Sequence, residues 1–248
     1  MKLSIITPTR NRLKYLKENI ASVRASVTHP MDLQVEHVIL DCGSDDGTAE
    51  WLKSEEAEGL TVILKDGPIP PGEARNLAIR ASSGELIMPL DDDDILLQRT
   101  AYHFAEVLQN SPAAWTVADF LKIDQEGRYL PGEDYYTWRF SSDQEMLEAI
   151  FSGRHFIQGN VCFRRSLFDE VGGYSDMKTA EDLELYSRFV MTAGLPAYLM
   201  AASHLHRIHD SNTSRDIGKQ KFNEDLSQIY ERLREDLEKR NVPLRLLV

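Results

Sequence analysis

The chain has 248 residues, of which 27% are charged and 42% are hydrophobic, and its formal net charge is −12. This length allows a full buried core, as one α/β domain or one domain with an appendage. The acidic balance argues against a general nucleic-acid binder, because phosphate backbones are held by basic surface. No apolar stretch is long enough to span a bilayer, and the N-terminus lacks a signal-peptide pattern. Cys42 and Cys162 lie in unrelated contexts, which predicts no disulfide and a cytoplasmic protein.

The first half of the chain alternates strand and helix patterns. Short apolar runs predict strands at 3–7, 35–40, 61–64 and 86–90, and helices between them have apolar residues at helical spacing. Pro8 is expected to end the first strand, and Ser44 is expected to cap the second helix. The alternation predicts a mostly parallel sheet with right-handed crossovers. Ligands of such sheets bind beyond the carboxyl ends of the strands.

The second half is less regular. Strands are predicted at 114–121 and 156–163, and a helix at 181–192. The tail has an apolar stripe at helical spacing, which predicts one long amphipathic helix that packs on the domain. Dimerisation or contact with a membrane surface is the alternative use of this stripe, and the latter would put the protein at the inner face of the membrane.

The acidic run at residues 91–94 is the strongest local feature. Four consecutive carboxylates repel one another, and a helix beginning near Ile95 needs only one of them as a cap. If the chain stays extended there, Asp91 and Asp93 point to one side and Asp92 to the other. Such a pair suits Mg²⁺ or Mn²⁺, hard ions that take further oxygen ligands from diphosphate and water. On this segment alone, a metal site and an acidic helix cap both stay open.

Asp41 and Arg75 are further polar candidates near the same sheet edge. Asp41 follows the second strand, where its carboxylate could accept a hydrogen bond from the N3–H of a uracil-type base. The alternative is a turn in which Asp41 binds its own backbone. Arg75, early in the third helix, could pair with phosphate or ribose, or form an ordinary surface salt bridge.

Taken together, these segments resemble family 2 glycosyltransferases of the GT-A fold. The matching segments follow the order and spacing of the family. They are 4–12 (SIITPTRNR), 41–48 (DCGSDDGT), 72–76 (GEARN), 84–85 (GE) and 90–94 (LDDDD). The resemblance covers residues 3 to about 110 and resumes in patches later. It implies an α/β, Rossmann-like, mostly parallel sheet flanked by helices, with a small mixed acceptor-side region and a C-terminal amphipathic helix.

The resemblance also implies roles on the nucleotide side. The D-x-D motif of the family falls on Asp91, which would face the sugar of the nucleotide, and on Asp93, which would bind the metal with Asp91 beside it. Many members have a second aspartate at the position of Cys42, which leaves base recognition open. The implied nucleotide-binding residues are Thr7, Pro8, Arg10, Asp41, Arg75, Asp91 and Asp92.

Two later segments resemble the E-D motif and the closing motif of the family. Asp182 corresponds to the general base that removes the proton of an acceptor hydroxyl, and Glu181 is the alternative base. A base needs reach to the acceptor and separation from the metal. Taken alone, acidic residues are common in the first turn of a helix. Residues 206–214 (HRIHDSNTS) resemble the closing motif, in which His209 would complete the metal shell.

His204, His206 and His209 also suggest a zinc site, but their spacing fits no helical i, i+4 pair. As alternate residues of a strand, they would simply face solvent. Trp138 and Gly159 lie where the family builds its acceptor side.

The function implied by the resemblance is inverting transfer of a sugar from a nucleoside diphosphate sugar, UDP-linked, to an acceptor hydroxyl. The acceptor would be a glycan, a lipid-linked molecule or another hydroxyl compound in glycan or polysaccharide biosynthesis, and the cofactor Mn²⁺ or Mg²⁺. A single domain at 1–248 is expected, with a nucleotide-binding half (1–95), an acceptor-side half (96–215) and a C-terminal helix (216–248).

Two other classes of protein remain as alternatives. A metal-dependent nucleotidyltransferase would normally carry a glycine-rich, basic loop after its first strand, and residues 7–10 contain no glycine. A nucleotide-sugar-binding protein without catalysis would keep Asp41 and the acidic run but would not need Asp182.

Overall fold

The structure is a computed structural model that describes residues 1–55, 58–132, 139–153, 159–210, 212 and 218–247. The strands are β1 (Lys2–Thr9), β2 (Gln34–Cys42), β3 (Leu60–Lys65), β4 (Leu86–Pro89), β5 (Ile95–Leu96), β6 (Trp115–Ile123), β7 (Val161–Arg164) and β8 (Ala197–Arg207). The helices are α1 (Leu13–Arg24), α2 (Thr48–Ser54), α3 (Pro71–Ala81), α4 (Thr100–Asn110), α5 (Asp143–Ile150), α6 (Arg165–Val171), α7 (Glu181–Ala193), α8 (Lys219–Arg232) and α9 (Arg234–Lys239).

The described strands form one sheet in the order β3-β2-β1-β4-β7-β6-β8-β5. The four strands of the first half pair in parallel, which confirms the predicted parallel sheet. β7 runs antiparallel to both β4 and β6, and β5 runs antiparallel to β8, so the second half is mixed as expected.

Pro8 does not end the first strand, which continues to Thr9. On one side, β1 pairs with β2 through Thr9; on the other, its pairing with β4 stops at Ile6. Beyond Ile6, β1 is therefore an edge on the β4 side. A proline without an N–H is tolerated at such an edge.

The core lies on both faces of the sheet. Leu3 and Ile5 of β1 pack with α4, whereas Ile6 packs with Ala74 and Ala78 of α3. Strands buried on both faces read as continuous apolar runs, which explains why β1, β2 and β4 were recognisable from sequence.

Two predicted helix starts are wrong. The second helix begins at Thr48 with Gly47 at its N-cap, and Ser44 instead hydrogen-bonds Asp41. The acidic run is followed by the short strand β5, and α4 starts only at Thr100. The interpretation of the acidic run as a helix cap is therefore also wrong.

The tail forms two helices, α8 and α9, which are separated at Leu233. The prediction of one long helix is therefore wrong. Leu226, Ile229 and Leu237 of these helices are buried in the same cluster as Phe151 of the main body. Among the described residues, no helix has the length and apolarity needed to cross a membrane.

Candidate active site

The predicted nucleotide-side residues lie at the carboxyl edge of the parallel strands. Thr9 pairs in register with Asp41 at the ends of β1 and β2, and the acidic run follows β4 on the other side of β1. Parallel strands bring their carboxyl ends to one edge of a sheet, so segments that are distant in sequence meet there.

The acidic run is a turn and not an extended segment. The Asp94 amide donates to the Asp91 carbonyl at 3.2 Å. The buried side chain of Asn19 on α1 closes the turn, since its Nδ2 donates to the carbonyls of Asp91 (2.9 Å) and Asp94 (3.0 Å). The predicted alternation of carboxylates to two sides is therefore wrong, because it assumed a strand conformation.

The four carboxylates point to four different sets of partners. Asp91 accepts from Arg75 at 2.9 Å, and Asp92 accepts from Thr9 Oγ1 at 2.6 Å. Asp94 accepts from the backbone N–H of Arg207 at 2.9 Å. Divergence of the side chains relieves the mutual repulsion that four consecutive aspartates would otherwise suffer.

The pKa values of these aspartates diverge too. Burial raises the pKa of Asp92 to about 8, and the charge of Asp93 acts in the same direction. Burial also raises the pKa of Asp94 to about 6, although His206 opposes this change. For Asp91, burial favours the protonated form, but Arg75 outweighs it and holds the pKa below its ordinary value.

Asp93 and His209, the two residues assigned to the metal by the family resemblance, lie in direct contact. His209 Nε2 lies 2.8 Å from Asp93 Oδ2. The Nη1 of Arg12 lies 3.0 Å from the same oxygen and 2.7 Å from the same nitrogen. Tyr15 stacks on the imidazole with ring centroids 5.0 Å apart. One carboxylate and one imidazole thus face a common position that a cationic nitrogen already contacts.

Arg75 joins the acidic turn to the start of α7. Its guanidinium bonds Asp91 through Nη2 and Glu181 through Nη1, and it lies 5.6 Å from the ring centroid of Tyr174. The side chain of Arg75 is 14% exposed and that of Glu181 is 10% exposed, so this pair is largely buried and is not the surface salt bridge of the alternative interpretation; Asp91 is 46% exposed. Gly72 lets α3 lie close to the segment before α7, because a Cβ at this position would lie 2.9 Å from the Ser175 carbonyl oxygen.

Glu181 and Asp182 differ in their partners. Glu181 is committed to Arg75, whereas Asp182 accepts a hydrogen bond from the Leu183 amide at 2.7 Å. Burial raises the pKa of Asp182 to about 7, with repulsion from Glu181 adding to the effect and Arg75 opposing it. Ala180, which precedes them, has φ of 56°, a left-handed conformation that is uncommon for alanine and is held here at a helix start.

The predicted base pocket is more self-contained. Asp41 is buried, and both of its carboxylate oxygens accept from Ser44, through the backbone N–H and the hydroxyl. Thr7 is also buried, with Oγ1 2.9 Å from His37 Nε2. Arg10 is exposed beyond the end of β1, and Pro8 is partly buried. The contacts of Asp41 match the turn-stabilising interpretation, and a base contact by this group stays a prediction.

His204 and His206 do not face solvent. His204 is fully buried, and Phe120 of β6 stacks on its ring at 5.3 Å between centroids. Its Nε2 and the Nδ1 of His206 lie 3.4 Å and 3.3 Å from oxygens of Asp94. The side chains of a strand alternate with period two, which brings both imidazoles to the same carboxylate.

Several contact residues were not assigned roles from the sequence, namely Thr9, Arg12, Asn19, Tyr174 and Arg207. The signal available for Thr9 and Arg12 is their position directly at the end of β1. Asn19 and Arg207 bind backbone carbonyls of the acidic turn from 72 or more positions away, and no local pattern identifies such contacts. Trp138, Ser211 and residues 213–214 lie outside the described residues.

Comparison with protein families gives a match to Glycosyl transferase family 2 over residues 4–172. An uncharacterized glycosyltransferase of Rickettsia bellii is 28% identical over 186 residues, which cover 75% of this chain but 26% of that protein. Glycosyltransferase GlyG of Streptococcus pneumoniae is 20% identical over 239 residues, covering 92% of this chain and 78% of GlyG. The matched region contains the acidic turn and Arg75 and ends before Glu181 and His209.

Solved structures are similar over most of this chain. Staphylococcus aureus TarS 1–349 in complex with UDP-GlcNAc has a TM-score of 0.74 at 20% identity, over 94% of this chain and 66% of that one. The mannosyltransferase PcManGT from Pyrobaculum calidifontis, in complex with GDP-Man and Mn²⁺, has a TM-score of 0.65 at 16% identity, over 94% and 64%. At these identities the likeness shows the fold.

Proposed function

Since this chain belongs to glycosyltransferase family 2, we propose that it transfers a sugar from a nucleoside diphosphate sugar, UDP-linked, to an acceptor hydroxyl with inversion. The observation that carries the proposal is the bridge made by Arg75. Its guanidinium joins Asp91 of the acidic turn to Glu181. Asp182 directly follows Glu181 and has no bond to this guanidinium in the described contacts. Asp91, on the proposed donor side, and Glu181, the residue next to Asp182, thus lie on opposite sides of the Arg75 guanidinium.

Asp182 is the better candidate for the base. Glu181 is neutralised by its ion pair with Arg75, so its basicity is already used. The pKa of Asp182, about 7, matches a group that must both take and release a proton near neutral pH. In the proposed step, Asp182 removes the proton of the acceptor hydroxyl. The hydroxyl oxygen forms a bond to the anomeric carbon as the bond between that carbon and the diphosphate breaks.

Asp93 and His209 are the residues that would hold a divalent cation. Their two ligand atoms face one position and are already contacted there by the Arg12 guanidinium, so the position accommodates positive charge. A mixed carboxylate–imidazole pair favours Mn²⁺ over Mg²⁺. The bound ion would supply positive charge against the departing diphosphate. The donors bound by TarS (UDP-GlcNAc) and PcManGT (GDP-Man, with Mn²⁺) support this type of donor site.

The test is a thermal-shift and transfer assay with UDP-GlcNAc and GDP-mannose, each with and without Mn²⁺. We expect a UDP-sugar to raise the melting temperature only with Mn²⁺, because a ligand stabilises the state that binds it. Asp93→Asn should abolish the Mn²⁺-dependent rise in melting temperature. Asp182→Asn should keep the shift and lose transfer by at least ~10²-fold, typical of a lost general base.

Asp169→Asn is the matched control, because Asp169 is exposed on α6 away from the acidic turn. It should keep both the shift and the transfer. Full transfer by Asp182→Asn would move the base elsewhere, and an unchanged anomeric configuration in the product, read by NMR, would contradict inversion. Donor binding without transfer by the wild-type chain would favour the non-catalytic binding protein.

A further inference from the structure

A second group of metal-type ligands lies on the other side of the acidic turn from Asp93. Asp94, His204 and His206 place one carboxylate oxygen and two imidazole nitrogens within 4.8 Å of one another. Asp94 follows the turn, and both histidines are on β8, which pairs with β5 directly after Asp94. The group shares no residue with the Asp93–His209 pair.

The hydrogen-bond network around His204 leaves a lone pair aimed at this group. Ser203 Oγ has one proton, which it donates to the Asp119 carbonyl at 3.2 Å. With its proton on that carbonyl, the hydroxyl accepts from Nδ1–H of His204 at 3.0 Å, in the tautomer that has the ring proton on Nδ1. Nε2 then has no proton, is fully buried, and has no hydrogen-bond partner among the described residues.

This lone pair faces an acceptor. Nε2 of His204 lies 3.4 Å from Asp94 Oδ2, outside hydrogen-bond geometry. Two acceptors that face each other in a buried place repel one another unless a cation lies between them.

The two distances between the carboxylate and the imidazoles match those of a tetrahedral ion. Asp94 Oδ2 lies 3.4 Å from His204 Nε2 and 3.4 Å from His206 Nδ1. Ligands bound at about 2.1 Å in a tetrahedron are about 3.4 Å apart, whereas octahedral neighbours are closer to 3.0 Å. Two imidazoles with one carboxylate are a donor set typical of zinc.

We propose that Asp94, His204 and His206 form a second metal site that takes Zn²⁺, distinct from the Asp93–His209 pair. Phe120 supports the two rings, stacked on one and edge-on to the other. Gly159 borders the site without a side chain, since a Cβ there would lie 3.9 Å from both Asp94 Oδ2 and His204 Nε2. A water molecule completes the tetrahedron. The ion ties β8 to the acidic turn and so stabilises the segment that delivers His209.

The experiment measures zinc directly and needs no nucleotide sugar. The untagged chain is expressed with Zn²⁺, dialysed, and analysed by mass spectrometry for metals. It is then stripped with chelator and titrated with Co²⁺, whose visible absorption is intense only in tetrahedral sites. We expect one zinc per chain and an intense Co²⁺ spectrum from the wild type. His206→Asn and His204→Gln should each lose both signals, because a two-ligand site binds weakly.

Two controls separate this site from the proposed donor site. Asp93→Asn should keep the zinc and the Co²⁺ spectrum. His103→Asn, the same change in a histidine on α4, should also keep them. If His204→Gln does not fold, His206→Asn, whose side chain is 13% exposed, and the wild-type Co²⁺ spectrum decide the question. A wild-type chain that retains no zinc and gives no tetrahedral spectrum overturns the proposal, as does loss of both signals in Asp93→Asn alone.

Discussion

At the residue scale, Asp182 is a carboxylate in a place that disfavours its charge. Glu181 and Asp91 are negative neighbours, and Arg75 is the positive one. Its folded pKa of about 7 lies above the value of about 3.9 in an unfolded chain. The folded state therefore binds the proton more tightly, and the contribution of this group to stability is lost as pH rises from the unfolded to the folded pKa.

We predict that Asp182→Asn stabilises the protein at about pH 8 and changes its stability little at about pH 4. The full shift corresponds to about 4 kcal/mol, and partial exposure of the side chain reduces the expected gain to about 1–3 kcal/mol. Asparagine can still accept from the Leu183 amide. Urea denaturation of both chains at the two pH values measures the effect, with Asp169→Asn as control. An equal gain at both pH values would contradict the electrostatic cause.

Among the residues of the site, Arg75 is the one whose loss should lower the free energy of unfolding most. Arg75→Gln leaves Asp91 and Glu181 without their shared cation. Breaking the largely buried pair with Glu181 from one side costs about 3 kcal/mol or more, whereas the pair with the half-exposed Asp91 adds little. Arg80→Gln removes an exposed arginine from the same helix and should change the free energy of unfolding by less than about 0.5 kcal/mol. Equal losses in urea denaturation would show that the Arg75 pairs contribute no more than a surface contact.

At the element scale, side chains of α1 hold the acidic turn by hydrogen bonds to its backbone. Asn19 bonds the carbonyls at both ends of the turn, and Ser22 Oγ accepts from the Leu96 amide just after it. The helix thus determines the conformation of the turn, while the four carboxylates remain available to other partners.

We predict that Asn19→Ala destabilises the protein by about 2 kcal/mol, because the buried Asp94 carbonyl loses its donor and the Asp91 carbonyl keeps only the Asp94 amide. It should also weaken Mn²⁺-dependent binding of the donor, since Asp93 then lacks a fixed backbone. Asn110→Ala makes the same change at an exposed helix end and should be nearly neutral. Loss of stability with unchanged Mn²⁺ dependence would mean that the turn does not position Asp93.

The element scale also shows where prediction from sequence stops. Most of the parallel strands were predictable because β1, β2 and β4 are largely continuous apolar runs buried on both faces, whereas β3, at the edge of the sheet, is apolar but partly exposed. β5 has two residues, too few for any periodicity, and it forms only because β8 pairs with it. Its absence from the prediction placed a helix directly after Asp94. His204 and His206 could be read as alternate residues of one strand. That this face of β8 packs against Asp94 and Phe120, and not against solvent, depends on the tertiary fold.

At the scale of the whole molecule, the site is assembled from both halves of the chain. The pairings of Arg75 with Glu181 and of Asp93 with His209 join positions 106 and 116 residues apart. Their residues could be nominated from the sequence through the family resemblance. Their pairing, and the part of Arg12 in it, depends on long-range packing that local patterns do not encode.

The tail belongs to the same packing. Leu237 of α9 is fully buried with residues of the main body, so Leu237→Ala should leave a cavity and cost about 2–5 kcal/mol. Leu246→Ala removes the same atoms from a residue that is 46% exposed, and it should cost less than about 0.5 kcal/mol. Urea denaturation distinguishes the two variants. A neutral Leu237→Ala would show that the tail contributes little to the core.

The guanidinium of Arg12 lies against both Asp93 and His209, so metal binding at the proposed site would be an exchange of cations. An arriving ion would displace a positive charge that is already there, and the local charge would change by less than the charge of the ion. The affinity would then reflect the difference between two bound cations. A site built this way discriminates against ions that bind carboxylates weakly, since they cannot offset the loss of the arginine contacts.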